Sequence, residues 1–349
     1  AVIHKRRLRQ VDDFETISPI RTPNAEYGHM ALLEVGKGCG RGCRFCLEGQ
    51  IYRPVRHRSV AALKETVTAL AKDSPRLGLV GACVSDYPWI GSLLNVVQES
   101  GMELSISSLR ADSLTEELVA ALARGGHRTV TVAPEAGTER LRRAIRKEIS
   151  DDQLYAACDL IRRHGIPNLK CYFMIGQPTE TREDVEAIPR LAARLLERLR
   201  VLDPAGKPFG RLTLSISSFV PKPWTPFQWA PFDGTTSLEG KLEIIKRGVR
   251  RFSNVRVLHE NPREAFLQAL LARGDRRVAD FLERAAAAEG DWRRALREWP
   301  GDPAFYTTRP RTVDERMPWD HFHVRVWKAT LIREWQLALA EECRGSVAR

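Results

Sequence analysis

Three cysteines lie within eight residues of one another in the stretch GKGCGRGCRFC, residues 36–46. Cys39, Cys43 and Cys46 have the spacing C-x3-C-x2-C, and an apolar run at residues 31–35 directly precedes the stretch. Glycines between the cysteines allow the backbone to wrap tightly and to turn its N–H groups inward. The basic residues of the stretch would offset the negative charge of thiolates. The spacing therefore predicts a loop that presents three thiolate ligands.

Three thiolates at this spacing allow three interpretations. A structural zinc site has four ligands, and neither His29 nor His57 stands at a finger-like spacing. A disulfide needs paired cysteines and an oxidising compartment, whereas this chain has seven cysteines and no visible secretory signal. A [4Fe–4S] cluster held by three cysteines leaves one iron without a protein ligand. The ligand count favours the cluster, whose open iron would bind a chelating molecule.

Six apolar runs of strand length recur in the chain, and helical patterns follow most of them. The six predicted strands are residues 31–35, 77–84, 103–108, 129–133, 169–175 and 212–220. Helix-start signals at Ser59, Ser113, Ser150 and Thr181 support the alternation, and Ser113–Glu116 reads as a capping box. Buried strands that alternate with helices are typical of a parallel sheet. The pattern predicts an α/β fold, a partial (β/α)6 barrel, with a doubly wound sheet as the alternative.

The pattern changes after Phe219, where prolines and aromatic residues punctuate an extended stretch. From residue 236 onward the periodicity is mainly helical, with predicted helices at 236–253, 262–272, 275–289 and 326–342. The sequence therefore divides into three parts, namely an N-terminal extension at 1–30, the barrel at 31–232 and an α-helical C-terminal region at 233–349.

Composition and charge limit the class of protein. With 43% hydrophobic and 28% charged residues, the chain is not disordered throughout. The net charge of +11 favours an anionic partner, but no dense basic block with interleaved aromatics appears, so nucleic-acid binding is an alternative that is not favoured. No run approaches the ~20 apolar residues that cross a bilayer. Unpaired cysteines fit a reducing compartment, and we expect a cytoplasmic protein without a membrane partner.

The cysteine loop after a first barrel strand resembles that of the radical S-adenosylmethionine (SAM) superfamily. Other parts of the chain between residues 5 and 340 look like the cobalamin-binding proteins of that superfamily, and Pro318–His321 looks like a tail of one uncharacterised branch. The stretches that carry this resemblance are 51–59, 84–88, 107–110, 133–140 and 172–181. In this family the open iron chelates the amino and carboxylate groups of SAM, and reduction of the cluster cleaves SAM to a 5′-deoxyadenosyl radical. The resemblance implies an enzyme with a TIM-like partial barrel, a [4Fe–4S] cluster and SAM.

The resemblance also places SAM-binding residues at the ends of successive strands, where parallel β/α folds carry their sites. Phe45, just before the third cysteine, would pack near the adenine. The other candidates are Asp86 for the ammonium group, Ser108, Arg110 for the carboxylate, Glu135 for the ribose or the ammonium group, and Gly176 beside the adenine. The family usually has Gly-Gly-Glu where this chain has Val84-Ser85-Asp86.

Each of these candidates has a purely structural alternative. Asp86 would cap a turn before Pro88, and Arg110 would be a surface arginine. Glu135 would favour the dipole of the next helix, and Gly176 would simply allow a strand-to-helix turn.

The relatives usually carry a cobalamin-binding domain before the barrel, with an Asp-x-His-x-x-Gly signature. Residues 1–30 lack that signature, so we expect either a chain trimmed at both ends or one that works without bound cobalamin. Residues 5–21 resemble the linker after such a domain, which favours trimming. If that domain belongs to the protein, cobalamin is a third cofactor and methyl transfer to an unactivated carbon is expected. The expected partners are a substrate of unknown identity, an electron donor such as flavodoxin or ferredoxin, and the cobalamin-binding domain. The alternatives are a radical SAM enzyme that modifies RNA and a non-catalytic iron–sulfur protein.

Overall fold

The computed structural model describes residues 2–347, with side chains for residues 2–341. Its centre consists of parallel strands that neighbour one another in chain order. Their bounds are β1 Ala31–Glu34, β2 Arg76–Val80, β3 Glu103–Ile106, β4 Thr129–Glu135, β5 Asn168–Ile175, β6 Arg211–Ser218 and β7 Val255–His259. Strands β1–β3 form a three-stranded parallel sheet, and β4–β7 form a four-stranded parallel sheet. A parallel bridge between Leu109 and Val132 links the two sheets.

Neighbours in chain order are the mark of a (β/α) barrel, since a doubly wound sheet reverses its strand order at a switch point. Strands β1 and β7 are the outer strands and are not paired with each other within residues 2–347, so the barrel is partial. The fold is an α/β, TIM-like partial barrel, as the sequence predicts.

Helices connect and flank these strands. Their bounds are α1 Glu48–Ile51, α2 Val60–Leu70, α3 Ile90–Glu99, α4 Glu116–Arg124, α5 Glu139–Ala144, α6 Asp151–Arg163, α7 Arg182–Leu199, α8 Thr235–Val249, α9 Pro262–Arg273, α10 Val278–Ala287, α11 Trp292–Glu298, α12 Pro303–Tyr306 and α13 Lys328–Val347. Short 3-10 helices occur at Val84–Asp86, Ala111–Ser113 and Pro226–Trp229. No helix in the part of the chain that the structure describes is both long and apolar enough to cross a membrane.

Helix starts agree with the sequence signals at three of four places. The Ser59 side chain caps α2, and Ser150 and Thr181 form capping boxes at the starts of α6 and α7. Helix α4 is the exception, because its cap is Thr115 and not Ser113. Ser113 belongs to a 3-10 helix instead, where its hydroxyl donates to the Ser85 hydroxyl at 2.7 Å.

The core lies between the sheet and the helices that cover it. Leu33, Val132 and Leu214 come from β1, β4 and β6, and Leu63 from α2 packs into the same cluster. Cys171 of β5 and Cys158 of α6 are fully buried there, which confirms that they behave as apolar residues.

Two boundaries differ from the sequence prediction. The second strand ends at Val80, and Val84–Asp86 forms a 3-10 turn instead of the end of that strand. The region 233–349 is not helical throughout, because β7 pairs in parallel with β6 from Val255–Leu212 to His259–Ile216. Strand β7 has one neighbour and no fully buried residue, so its apolar alternation is weak.

Candidate functional site

A short antiparallel pair of strands, two residues each, closes the base of the cysteine loop. Gly36–Lys37, just after β1, pairs antiparallel with Arg56–His57. Gly38 has a φ of +84°, and a Cβ there would lie 2.5 Å from the carbonyl oxygen of Tyr52. Only glycine fits this position without strain. The chain therefore turns sharply out of β1 and holds residues 38–55 as a loop at the carboxyl end of that strand.

Two basic side chains, one of the loop and one of the N-terminal segment, fix the shape of the loop. Arg53 donates from Nε to the Gly49 carbonyl and from Nη2 to the Arg41 carbonyl, both at 2.7 Å. Lys5 donates to the Ile51 carbonyl at 3.1 Å. Main-chain carbonyls are thus the acceptors that fix the shape of the loop.

The three cysteines of the loop are unpaired thiols. The main-chain N–H groups of Arg41 and Gly49 donate to the sulfurs of Cys39 and Cys46, each at 3.4 Å. Burial raises the pKa of Cys46, and the Gly49 hydrogen bond acts against that rise. Such N–H donors stabilise sulfur that carries negative charge.

Cys43 is the most buried of the three, at 8% exposure. Burial raises the pKa of its thiol, while the positive charges of Lys147 and Arg110 act in the opposite direction. Within the described residues, no three His, Cys, Asp or Glu side chains converge on the position of a single metal ion. Three separate thiols in a loop with inward N–H donors are the donor set of a three-cysteine [4Fe–4S] cluster, and the residues present fit that group.

Phe45 is half-buried and lies on a small apolar cluster beside the loop. The buried members of that cluster include Ala136, Met174 and Phe219. The side chain therefore presents an apolar surface beside the thiols. Its contact with the adenine stays a prediction.

Asp86, in the 3-10 turn that follows β2, is tied to the cysteine loop. Arg41 donates to its carboxylate from Nε at 2.7 Å and from Nη2 at 2.8 Å. Burial alone would raise the pKa of Asp86, but the hydrogen bonds from Arg41 and Cys83 outweigh burial and lower it. Asp86 is therefore a carboxylate at neutral pH, and in this structure its cationic partner is Arg41.

Arg110, after β3, has a partner that the sequence prediction missed. It donates from Nε and Nη2 to the two carboxylate oxygens of Asp112, both at 2.9 Å, and from Nη2 to the Lys147 carbonyl at 2.9 Å. The Arg110 guanidinium, which the resemblance assigns to the SAM carboxylate, thus binds Asp112 in this structure. The short spacing to Asp112 is a sequence signal that could have found this pair. Ser108 is exposed at the end of β3.

Glu135, the last residue of β4, has a φ of +69°, which is unfavourable for a residue with a Cβ. Its carboxylate lies 3.1 Å from Lys147 Nζ. Both charges act on the pKa of Cys43. The N–H of Arg44 donates to the Ile145 carbonyl at 2.9 Å, so the segment that leads to Lys147 lies against the cysteine loop. A strained residue at a strand end among charged groups is a common feature of functional sites. The structure thus brings Glu135 near the loop, and its contact with the ribose or the ammonium group of SAM stays a prediction.

Gln177 is a further residue that the sequence prediction did not single out. Its Nε2 donates to the Glu135 carbonyl at 3.1 Å and to the Met174 carbonyl at 2.8 Å. These two carbonyls fix the orientation of the amide. Its Oε1 is buried and has no partner among the described atoms. A buried acceptor beside Glu135 fits a ligand that donates hydrogen bonds.

Gly176 follows β5 with a φ of +79°, and a Cβ there would lie 2.8 Å from Leu238 Cδ2. Its N–H donates to Glu180 Oε1 at 2.9 Å. Glu180 in turn lies 2.6 Å from Lys241 Nζ, which also pairs with Asp233 at 2.9 Å. The turn reading of Gly176 is thereby confirmed, and its approach to the adenine stays a prediction.

Several known proteins are similar to this chain. An uncharacterized protein of Methanocaldococcus jannaschii is 35% identical over 283 residues, which cover 80% of this chain and 60% of that protein. The threonylcarbamoyladenosine tRNA methylthiotransferase MtaB of Treponema pallidum is 28% identical over 189 residues, 50% of this chain and 38% of that protein. The radical SAM methyltransferase TsrM of Kitasatospora setae, solved with cobalamin and a [4Fe–4S] cluster, superposes with a TM-score of 0.41 at 17% identity over 53% of this chain and 36% of TsrM.

The match to a family model covers the candidate site. The model is that of the Radical SAM superfamily, and it matches residues 33–192. That range begins in β1, includes the cysteine loop and ends in α7. The chain therefore contains a radical SAM domain.

Proposed function

We propose that Cys39, Cys43 and Cys46 hold a [4Fe–4S] cluster and that SAM binds at the iron they leave open. The observation that carries the proposal is the set of three unpaired thiols in one closed loop, inside the matched radical SAM domain. When bound, the cluster supplies the electron that cleaves SAM reductively to methionine and a 5′-deoxyadenosyl radical. A flavodoxin or ferredoxin would provide that electron.

The residues around the loop have distinct roles in this proposal. Asp86 and Glu135 are carboxylates that would accept hydrogen bonds from the SAM ammonium group. The unpartnered Oε1 of Gln177 would accept a hydrogen bond from the ammonium or a ribose hydroxyl. Asp112 would act on SAM only through Arg110, whose guanidinium it orients.

The surroundings of the loop would also keep water away from the reacting centre. Phe45 lies on an apolar cluster with Met174 and Phe219, whose side chains come from the ends of β5 and β6. A dry, apolar wall protects a reactive radical from side reactions. The barrel would thereby direct hydrogen abstraction to the substrate.

We further propose that the overall reaction is methyl transfer, with cobalamin as a cofactor where a cobalamin-binding domain accompanies the barrel. Two observations support this step. The stretches outside the cysteine loop look like those of cobalamin-binding relatives, and a protein named an uncharacterized methyltransferase in Pyrococcus horikoshii is 32% identical over 100 residues. The matched parts cover 28% of this chain and 22% of that protein.

Anaerobic reconstitution tests the proposal. We expect the full chain to bind four irons and, after reduction and addition of SAM, to release 5′-deoxyadenosine and methionine. Cys43→Ala should lose the cluster and the product. Cys158→Ala is the matched control, because Cys158 is a buried thiol of α6 outside the loop, and it should retain both.

Two results would contradict the proposal. One is a native chain that binds no cluster, and the other is a Cys43→Ala variant that keeps four irons and still releases 5′-deoxyadenosine. Methyl transfer is tested separately, with isotopically labelled SAM and methylcobalamin. Release of 5′-deoxyadenosine without any cobalamin bound by the protein, or by an added cobalamin domain, would overturn the cobalamin step alone.

A further inference from the structure

A small pocket lies where the N-terminal segment meets the segment before α13. Ile3–His4 pairs in parallel with Phe322–His323. Hydrogen bonds from the N–H of Ile3 to the His321 carbonyl at 2.9 Å and from the N–H of Lys5 to the His323 carbonyl at 3.0 Å fix this pairing. The pocket beside it has a volume of about 310 Å³, which is within the range of small-molecule sites.

The described residues that line the pocket carry no negative charge. They are two histidines, a lysine, an arginine and a tryptophan, namely His4, Lys5, His323, Arg325 and Trp327. A pocket with this lining repels cations and attracts anions. The aromatic residue adds a surface for a planar group.

The positive charge around the pocket is not neutralised by the protein. Lys5 and Arg56 donate to main-chain carbonyl oxygens at 3.1 and 2.6 Å, which position the cations without removing their charge. Desolvation and then the charges of Arg325, Arg56 and Arg9 lower the pKa of Arg7, so like charges gather here. Among the side chains of residues 2–341, no carboxylate forms an ion pair with Lys5, Arg7, Arg56 or Arg325. This uncompensated positive charge favours binding of an external anion.

Trp327 gives the pocket an exposed aromatic face. The side chain is 70% exposed. Its ring centroid lies 5.5 Å from that of His323, at an interplanar angle of 72°, so the edge of one ring meets the face of the other. Arg325, two residues earlier, has a φ of +65°, a conformation that the surrounding structure must impose on a residue with a Cβ. An indole and a guanidinium that line the same pocket can serve stacking and charge recognition respectively.

We propose that this pocket binds a nucleotide unit, with the base stacked on Trp327 and the phosphate paired with Arg325 and Lys5. Stacking on an aromatic ring and pairing of phosphate with Arg or Lys are the two contacts by which proteins bind single-stranded nucleic acid. A free nucleotide and one nucleotide of an RNA strand offer the same chemistry. An acidic peptide would satisfy the charge but would leave the exposed indole without a stacked base. The proposal concerns binding and goes beyond the cleavage of SAM.

The test measures binding of a fluorescently labelled single-stranded oligoadenylate RNA, about eight nucleotides long, to the full chain with its reconstituted cluster. Fluorescence anisotropy at several salt concentrations gives the affinity and its salt dependence. We expect Trp327→Ala to weaken binding about tenfold. Arg325→Ala should weaken binding and reduce the slope of log K against log salt by about 0.7. Because both residues are exposed, both variants should keep the thermal stability of the parent.

Matched controls separate this pocket from general attraction to a basic protein. Trp89→Ala removes another exposed tryptophan, and Arg276→Ala removes another exposed arginine. We expect both to bind RNA as the parent does. Competition by AMP would identify the free nucleotide as a sufficient ligand, whereas binding of RNA without competition by AMP would identify the strand.

Three results would overturn the proposal. The parent could bind neither the RNA nor AMP, the controls could lose as much affinity as the pocket variants, or the pocket variants could bind normally. Displacement of RNA by polyglutamate from the parent, with unchanged affinity in Trp327→Ala, would mean that the surface recognises acidic protein by charge. None of these measurements depends on SAM cleavage, and a full chain that binds no cluster is measured in the same way. Failure of either proposal therefore leaves the other open to its own test.

Discussion

Arg44 of the cysteine loop is paired with Glu334 of α13, with 3.1 Å between Arg44 Nε and Glu334 Oε2 across 290 residues of sequence. Both residues are buried, at 6% and 8% exposure. Glu334 also accepts from Arg146 Nη1 at 3.0 Å. Because Arg44 directly follows Cys43, a helix outside the matched radical SAM domain helps to position the loop that carries the thiols.

Glu334→Ala should therefore loosen the cysteine loop. Removal of one partner of a buried ion pair leaves the other charge uncompensated and costs about 3 kcal/mol of unfolding free energy. We expect a loss of that size in urea denaturation of the apoprotein. In the reconstituted protein, the iron should pass to a chelator faster than in the parent.

Glu298→Ala is the matched control, because Glu298 is half-exposed on α11 and pairs with Arg294 one turn away. An exposed pair of this kind contributes about 0.5 kcal/mol at most. Equal rates of iron release in the parent and Glu334→Ala would show that α13 does not position the loop.

Glu135 has a strained backbone conformation, which its proposed role in binding SAM would explain. With φ at +69°, replacement by glycine relieves about 1 kcal/mol of backbone strain, while the ion pair with Lys147 is lost. Because the variant leaves the buried Lys147 without its partner, at a cost of about 3 kcal/mol, we expect Glu135→Gly to lose about 2 kcal/mol of unfolding free energy. It should also bind SAM at least tenfold more weakly. Urea denaturation and equilibrium dialysis with the reconstituted protein measure the two quantities.

Glu289 offers a control with the same backbone conformation, at a φ of +54° on an exposed turn after α10. Glu289→Gly should gain about 1 kcal/mol of stability, because no buried partner is lost there. Its SAM affinity should equal that of the parent. Normal SAM affinity in Glu135→Gly would remove Glu135 from the binding site.

Lys241 compensates the buried carboxylate of Glu180, whose side chain is 2% exposed. Burial raises the pKa of Glu180, and Lys241 acts against that rise. In Lys241→Met the pKa should rise further, because Asp233 then faces Glu180 without a cation between them. We expect a loss of about 3 kcal/mol of unfolding free energy at neutral pH.

The pH dependence of this loss follows from the direction of the Glu180 pKa shift. A carboxyl group with a raised pKa in the folded state binds more protons when folded, so its ionisation destabilises the protein as pH rises through that pKa. The deficit of Lys241→Met relative to the parent should therefore be largest at neutral pH and shrink as pH falls. Urea denaturation at several pH values measures it.

The double variant Glu180→Gln, Lys241→Met removes the uncompensated charge. The introduced amide would keep an oxygen for the N–H of Gly176, which now donates to Glu180 Oε1 at 2.9 Å. We expect the double variant to recover most of the stability and to lose the pH-dependent deficit. A double variant as unstable as Lys241→Met alone would show that packing around Lys241, and not the buried charge, accounts for the loss.

Features carried by local sequence were predictable. The cysteine spacing is a local pattern, and so is the alternation of strands that start at Ala31, Leu77 and Leu169, within a residue of their observed positions. Capping at Ser150 and Thr181 depends on residues three positions apart. The periodicity of a sequence does not contain the order of strands in a sheet. The doubly wound alternative is therefore excluded by the structure, in which the strands pair in chain order.

Features that depend on contacts between distant elements were not predictable in this way. Gln177 contacts the Glu135 carbonyl, 42 residues away, and Lys147 reaches the Glu135 carboxylate from a turn with no periodic pattern. Strand β7 was missed because Arg256 and His259 interrupt its apolar residues. Arg110 is different, because its partner Asp112 is only two residues away and its short-range pairing was available in the sequence.

Cys83 is a fourth cysteine near the loop, and its state bears on the open iron. Its sulfur lies 3.6 Å from the Ser85 hydroxyl. Burial, followed by the charge of Asp86, raises the pKa of Cys83 to about 12, and the charge of Cys39 adds to the rise. Cys83 also lies outside residues 38–55, the loop that carries the other three thiols.

We therefore expect Cys83→Ala to bind four irons and to retain the SAM affinity of the parent. Cys39→Ala, which removes a loop thiol, should lose the cluster. Iron and sulfide content, together with the electron paramagnetic resonance spectrum of the reduced protein with and without SAM, measures both outcomes. A spectrum of Cys83→Ala that differs from the parent without SAM would identify Cys83 as a fourth ligand. The iron assigned to SAM would then be closed in the resting protein, and SAM would have to displace a thiolate in order to bind.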